Sequence, residues 1–437
     1  MKRKLNLWLV LILVISLVAV ACSSAPAQAP AKAPEQKAAE APPKAAEPKP
    51  AAPASAPEQK PAQAPAKAPE AAAAPKTPLK IGILAPMAGT MAGLGQDVIN
   101  GFKLRLEMQK NLIADRQVEL VIDDDAGDPA TALTKARKQI ERDQVEMIVG
   151  PFGGNVVDAV EEYIAKQGLL QVAWLTAPKQ LVPTVLSPSH HNESWGAVMG
   201  PYAYQKMGLR KVVNISSDFE GGREFPDGFK AAFKKAGGEV VSDIWVPLGS
   251  VDFGPFLTKV PQADATYSFF PGGDAVRYIQ QRDQFGLKAR IPQIGNLSIV
   301  DESLLPAQGK AAVGTVVAGH YWSGLENAAN KEYLKAYTDK YGKGPLGYYA
   351  MTGYMIPQLL DLGLKKTNGN AKPAQAAATA LQSVTFDSPK GPFRFDAKVP
   401  YAVNDYYILK VVEKDGKITY EQIDIVKDVK PYPVGAS

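Results

Sequence analysis

The chain has 437 residues and three distinct compositions. Residues 1–24 are basic and then apolar, residues 25–76 hold 22 Ala and 13 Pro with no aromatic, and residues 77–437 are an ordinary globular mixture. The formal net charge of +5 lies in the first two parts, since residues 77–437 carry 39 basic and 39 acidic side chains. A neutral folded part argues against a nucleic-acid-binding domain, and the single cysteine, Cys22, lies ahead of it, which excludes an intradomain disulfide, a thiol nucleophile and a cysteine-held zinc.

Lys2-Arg3-Lys4 followed by the apolar run 5–18 and the small residues Ala19-Val20-Ala21 reads as a secretory signal at 1–21, too short for a membrane span. With Cys22 directly after it the segment resembles a bacterial lipobox, with Ala19 where leucine is usual. That resemblance implies cleavage before Cys22, lipidation of its sulfur, and attachment to the membrane through lipid alone, on the extracytoplasmic side. Residues 22–77 form the tether. Its Ala/Pro cassettes, AKAPE at 31–35 and 66–70 and APEQK at 33–37 and 56–60, have nothing to bury and are expected to stay disordered and extended. Such a spacer reaches on the order of 160 Å.

From Leu79 strands and helices alternate. LKIGILA (79–85), QVELVID (117–123), EMIVG (146–150) and LLQVAWL (169–175) predict strands, separated by helices that end near 111 and span 129–143 and 155–167. The strands are continuously apolar, as in parallel sheets covered on both faces. After a polar stretch, 187–194, the alternation restarts with strands at 210–216, 239–248, 264–270, 291–296 and 311–320 and helices at 222–237 and 273–286. Helices near 328–341, 346–364 and 373–382 follow, then strands at 391–396, 405–416 and 417–426, the last two a hairpin about Asp415-Gly416. The fold class is α/β, in two lobes between which the chain passes more than once.

The blocks LKIGILAPMAGTMAGLGQDVINGFKL, ELVIDDDAGDPATALTKARKQIERDQVEMIVGP and SSDFEGGREFPDGFKAAFKKAGGEVV resemble the type I periplasmic binding proteins. The branch is the one named for leucine/isoleucine/valine binding, the substrate-binding subunits of ABC importers. IVGPFGGN, VAWLTAP, FFPGGDAVRYIQQ, GLKARIPQIG and TDKYGKGP fit in order, so the resemblance covers roughly 78–430. DDDAGDPATALTKARK and DESLLPAQG place it nearest a subgroup associated with aromatic compounds. The resemblance implies two Rossmann-like lobes joined by a three-crossing hinge with the ligand cleft between them. The expected division is 78–195 and 321–398 for lobe 1, 196–320 and 399–430 for lobe 2, and 431–437 as a tail.

In open α/β sheets ligands bind beyond the carboxyl ends of the strands. Phe152-Gly153-Gly154-Asn155 lies between a strand and a helix start, where backbone N–H groups and the helix dipole favour an anion. The resemblance implies that this loop and Thr176, next to Ala177, take a ligand carboxylate. Trp174 is expected to stack on the ligand from one lobe. Phe219, Glu220, Gly221, Gly273 and Asn296 are the candidates from the other. Amino-acid binders of the family carry an acidic residue for the ligand ammonium near Asn296, and none stands there. A carboxylate with an aromatic or apolar body is therefore the better fit, with an α-amino acid the alternative.

The run Asp123-Asp124-Asp125 lacks the twelfth-position Glu of an EF-hand, Thr134 standing there, and reads as a strand end and helix cap. His190 and His191 read as solvated hinge residues. No HExxH or GxSxG occurs, so the expectation is a non-enzymatic, monomeric binding protein without metal or cofactor, partnered by a small-molecule ligand and ABC permease subunits and by no nucleic acid. The alternative is a ligand-sensing receptor ectodomain working with a separate signalling partner.

Overall fold

The structure, a computed structural model, describes residues 77–342 and 346–431. The signal, Cys22 and the tether lie outside the described residues, as does most of the tail. The first sheet holds β1 (Leu79–Ala85), β2 (Leu112–Ile113), β3 (Arg116–Asp124), β4 (Met147–Val149), β5 (Leu170–Val172) and β6 (Val185–Leu186), in the order β2-β3-β1-β4-β5-β6. Every pairing but β2 with β3 is parallel. Its helices are α1 (Ala92–Met108), α2 (Pro129–Arg137) and α3 (Gly154–Lys166). The central strands are buried nearly throughout, as their unbroken apolar sequences require.

The second sheet is reached through α4 (Asn192–Gln205). It comprises β7 (Lys211–Asp218), α5 (Glu220–Lys235), β8 (Glu239–Pro247), α6 (Gly254–Leu257), β9 (Ala265–Ser268), α7 (Gly272–Gln284), α8 (Leu287–Arg290), β10 (Gln293–Asn296), α9 (Leu305–Gln308) and β11 (Val316–Gly319). The chain then returns to the first lobe, where α10 (Ala328–Tyr341) and α11 (Tyr348–Lys365) pack on α1 and α12 (Ala374–Gln382) packs on β5 and β6. A small hairpin, β12 (Phe386–Ser388) with β13 (Gly391–Phe393), precedes the third passage. β14 (Asn404–Lys414) and β15 (Lys417–Val429) complete the sheet β15-β14-β11-β10-β9-β7-β8 as an antiparallel edge. Asp415 and Gly416 between them both have positive φ, 51° and 70°, as a two-residue hairpin turn matching the strand twist demands.

Three crossings therefore join the lobes, after β6, after β11 and before β14. A parallel bridge between Ser187 and Tyr401 ties the first to the third.

Beyond several short unpredicted elements, three departures from the sequence reading bear on packing and the crossings. α4 was not predicted, and it contains Gly196, Gly200 and Pro201, residues unfavourable inside a helix. The glycines instead let α4 lie directly on α5: a Cβ on Gly196 would stand 1.8 Å from the Phe225 carbonyl oxygen, one on Gly200 2.5 Å from Phe233 N, and one on Gly228 2.1 Å from the Glu193 carbonyl oxygen. The expected strand 391–396 stops at Phe393 and pairs with an unpredicted partner, 386–388. His190 is not solvated. It is buried in the first crossing, with its ring edge-on to Trp195 at 4.6 Å between centroids.

The α4–α5 contact yields a stability test. Gly196→Ala gains helix propensity of about 1 kcal/mol but drives its methyl into backbone. We expect a net loss of about 1–3 kcal/mol by thermal or urea unfolding, since overpacking outweighs the gain. An unchanged or raised stability would contradict this packing.

Candidate functional site

The carboxyl ends of β4 and β5 and the loops after β7 and β9 face one another across the lobes. Between them is a cavity that opens in part to solvent. Gly153, Gly154 and Thr176 line one end. Phe152, Tyr348 and Tyr349 form the first lobe's wall, and Phe219, Phe225 and Phe269 the second lobe's. Gly221, Pro271, Met91, Leu175, His190 and Asn192 complete the lining, which contains no charged side chain.

The polar end follows from local sequence. Gly153 caps α3 in an extended conformation without a side-chain hydrogen bond, so the first N–H groups of α3 have no intrahelical acceptor. The absence of side chains on Gly153 and Gly154 leaves this backbone open to the cavity. Thr176 is buried and its hydroxyl donates to the Ala177 carbonyl at 3.2 Å, a bond it exchanges at little cost for a better acceptor. Bare N–H groups at the positive end of a helix dipole, with a hydroxyl alongside, suit a carboxylate. His190 adds no charge, because complete burial and then the nearby Lys390 push its pKa well down.

The aromatic walls are preorganised. Phe152 stacks on Tyr349 at 5.6 Å with planes 17° apart, and Phe225 stacks on Phe269 at 4.3 Å and 20°. Tyr348 opens α11, and its hydroxyl shares a 3.0 Å hydrogen bond with Ser298 of the other lobe. The lobes also meet at the rim. Lys179 pairs with Glu220 and lies 3.9 Å from Glu224, and Asn192 donates to Glu224 at 2.6 Å. A Cβ on Gly154 would stand 3.3 Å from Glu224 Oε2, so this carboxyl borders the anion end. Burial, more than any neighbour, pushes its pKa up to about 7.

Phe152, Gly153, Gly154, Thr176, Phe219 and Gly221, all expected in the site, do line the cavity. Six others do not. Asn155 is in the first turn of α3, and its Oδ1 lies 3.7 Å from where a Cβ on Gly221 would be, closing the lobes rather than lining the cavity. Ala177 donates its N–H to the His190 carbonyl. Glu220 is an exposed rim residue. Gly273 faces the Arg277 guanidinium, 3.3 Å from its Cβ position. Asn296 is buried at the end of β10 with both amide atoms unpartnered among the described residues.

Trp174 requires a correction. It points away from the cleft, fully buried, edge-on to Phe102 at 5.8 Å. A buried indole N–H needs an acceptor, and the Leu84 carbonyl at 2.7 Å supplies one across Gly150. The aromatic side chains that do line the cavity are Phe152, Tyr348, Tyr349 and the phenylalanines of the second lobe. Tyr348, Tyr349, Phe225 and Phe269 were missed, since the first pair opens a helix distant in sequence and the second pair reads as core.

Trp174→Phe should leave ligand affinity unchanged and cost about 1–3 kcal/mol of stability, because the Leu84 carbonyl loses its donor. Phe219→Ala should do the reverse, weakening binding by roughly 1–3 kcal/mol with little effect on melting. Titration calorimetry beside thermal unfolding separates the two. Loss of affinity in Trp174→Phe alone would restore the stacking role.

Comparison with known proteins supports the two-lobed fold. Residues 78–417 match the family described as periplasmic binding protein. A Leu/Ile/Val-binding protein homolog 6 of Brucella melitensis is 26% identical over 363 residues, 80% of this chain and 92% of that protein. An ABC transporter substrate-binding protein from Sphaerobacter thermophilus superposes with a TM-score of 0.75 at 30% identity, covering 81% of this chain and 99% of its own. A solute-binding protein of an ABC transporter from Rhodopseudomonas palustris BisB5, in complex with 3,4-dihydroxy benzoic acid, gives 0.76 at 29% identity, covering 81% and 98%. These relatives are solute-binding proteins and not enzymes, and the chain belongs to the periplasmic binding protein family.

Proposed function

We propose that this chain is the lipid-anchored binding protein of an ABC importer and captures a small aromatic carboxylate between its lobes for delivery to the permease. The single observation that carries the ligand class is the cavity lining: aromatic rings from both lobes, bare N–H groups of α3 at one end, and no charged side chain for an ammonium. The 3,4-dihydroxy benzoic acid held by the Rhodopseudomonas palustris relative supports the same chemistry. The ring is held between the two aromatic walls, and the carboxylate takes the α3 N–H groups and the Thr176 hydroxyl. Lobe closure about the three crossings buries both ends and forms the surface that the permease reads. The anchor at Cys22 and the Ala/Pro tether keep the domain near the extracytoplasmic membrane face while leaving it free to move.

A second reading, an α-amino acid ligand, has one observation in its favour. Glu224, beside the anion end, would pair an ammonium when ionised. The two readings predict opposite pH dependences. Glu224 titrates near 7, with Lys179, Asp158, Glu193 and Glu220 as the ionisable groups around it. An aromatic carboxylate is repelled by the ionised form and meets an O–H donor in the protonated form. Its affinity should therefore be highest below the Glu224 pKa and fall severalfold as pH rises from about 6 to about 8. An ammonium ligand should gain over the same interval.

The test is calorimetric titration of the full chain with 3,4-dihydroxybenzoate, benzoate and leucine across this range. We expect the aromatic acids to bind, leucine to be inert, and Glu224→Gln to flatten the pH dependence. Thr176→Ala should cost about 1.5–3 kcal/mol of binding through loss of a charge-assisted hydrogen bond. Tight leucine binding that strengthens with pH would establish the amino-acid reading.

A further inference from the structure

We propose that a second cavity, behind the hinge and walled by His320, Lys390, Arg394 and Lys427, is a binding site for a small oxyanion such as sulfate, phosphate or a free carboxylate. It opens in part to solvent and shares no lining residue with the ligand cleft. His320 follows β11 in the second crossing, Lys390 is in the turn of the β12–β13 hairpin, and Asn404, also lining, opens β14 at the end of the third. Lys390 reaches the first crossing as well, through the Pro188 carbonyl.

The polar groups around it are left short of acceptors. Lys390 is buried, and its ammonium donates to the Pro188 carbonyl at 3.0 Å and to Asn404 Oδ1 at 2.6 Å. Both acceptors are neutral and the Phe393 ring lies 5.4 Å from Nζ, so the charge has no carboxylate partner among the described residues. A buried ammonium without a counter-ion is costly. His320 is 1% exposed, and its Nδ1 has no partner while Nε2 faces the Ser189 hydroxyl at 3.4 Å. The single Ser189 proton is shared out between this ring and His190 Nδ1, which lies nearer at 2.9 Å, so the His320 tautomer follows from which imidazole the hydroxyl serves. Both carboxylates of the lining are already engaged: Asp428 pairs with Arg394, and Asp405 accepts from the Asp428 N–H at 2.8 Å. Lys427 pairs with no carboxylate among the described residues. Three cations face two carboxylates, and an anion completes the set. Burial pushes the Lys390 pKa down to about 7. A bound oxyanion would hold together segments from all three crossings.

Thermal melting of the full chain in sodium sulfate, against sodium chloride at equal ionic strength, tests the site. We expect a rise in melting temperature that saturates with sulfate, as binding to the native state produces. The general salting effect of sulfate instead grows steadily with concentration. Lys427→Met, a change at an exposed side chain, should weaken the apparent sulfate affinity about tenfold or more through loss of a charged donor, and Lys427→Arg should retain it. Calorimetric titration of sulfate into the wild-type chain gives an independent measure. A rise without saturation, no saturable heat, or a saturating rise that Lys427→Met leaves unchanged would each overturn the proposal.

Discussion

The first turn of α3 has N–H groups that its own helix cannot satisfy, and Gly153 and Gly154 leave them facing the cleft. Much of the arrangement follows from that. An anion can be held there without a buried cation, so the lining needs no lysine or arginine. The cavity walls are then free to be aromatic, and rings from both lobes occupy them. Charge is confined to the rim, where Lys179 meets Glu220 and Glu224 across the lobes. One carboxyl, Glu224, borders the anion end, and burial pushes its pKa up to about 7, so it changes charge around physiological pH. In the proposed reading the site separates two tasks: the α3 N–H groups and the Thr176 hydroxyl take the carboxylate, and the aromatic walls take the body of the ligand.

Closure depends on the rigidity of each lobe. The α4–α5 crossing, with glycines on both helices, fixes the second lobe's helices on its sheet. Trp195 of α4 donates to the Ala318 carbonyl at 2.7 Å and packs against His190, His320 and Tyr348, which links this helix to the crossings and to the cavity wall. Motion is left to the short segments after β6, after β11 and before β14, consistent with a hinge whose parts are few and locally braced.

The sequence was informative where a local rule decides the outcome. Apolar runs such as 79–85 announced parallel strands, and the strand-to-helix glycines at 153–154 announced a turn that the structure places in the lining of the cavity. It failed where tertiary packing reverses a local preference. Gly196, Gly200 and Pro201 signal a break in a chain read alone, yet they permit a helix to touch its neighbour's backbone. Trp174 ends a strand at the cleft mouth, but the direction of its side chain is set by an acceptor on β1, ninety residues away, which no local pattern reveals. Tyr348 and Tyr349 escaped notice because they reach the cavity from a helix that follows the second crossing. The two histidines beside the first crossing read as polar loop, while His190 is enclosed by Trp195, Phe225 and Tyr348.

The central claim is that α3's bare N-terminus holds the ligand carboxylate while the two aromatic walls hold its ring. A crystal structure of the protein with 3,4-dihydroxybenzoate tests this most directly. The account predicts the carboxylate within hydrogen-bonding distance of the Gly154 N–H and the Thr176 hydroxyl, with the ring between Phe152 and Phe219. A ring bound elsewhere, or a carboxylate turned away from α3, would contradict it.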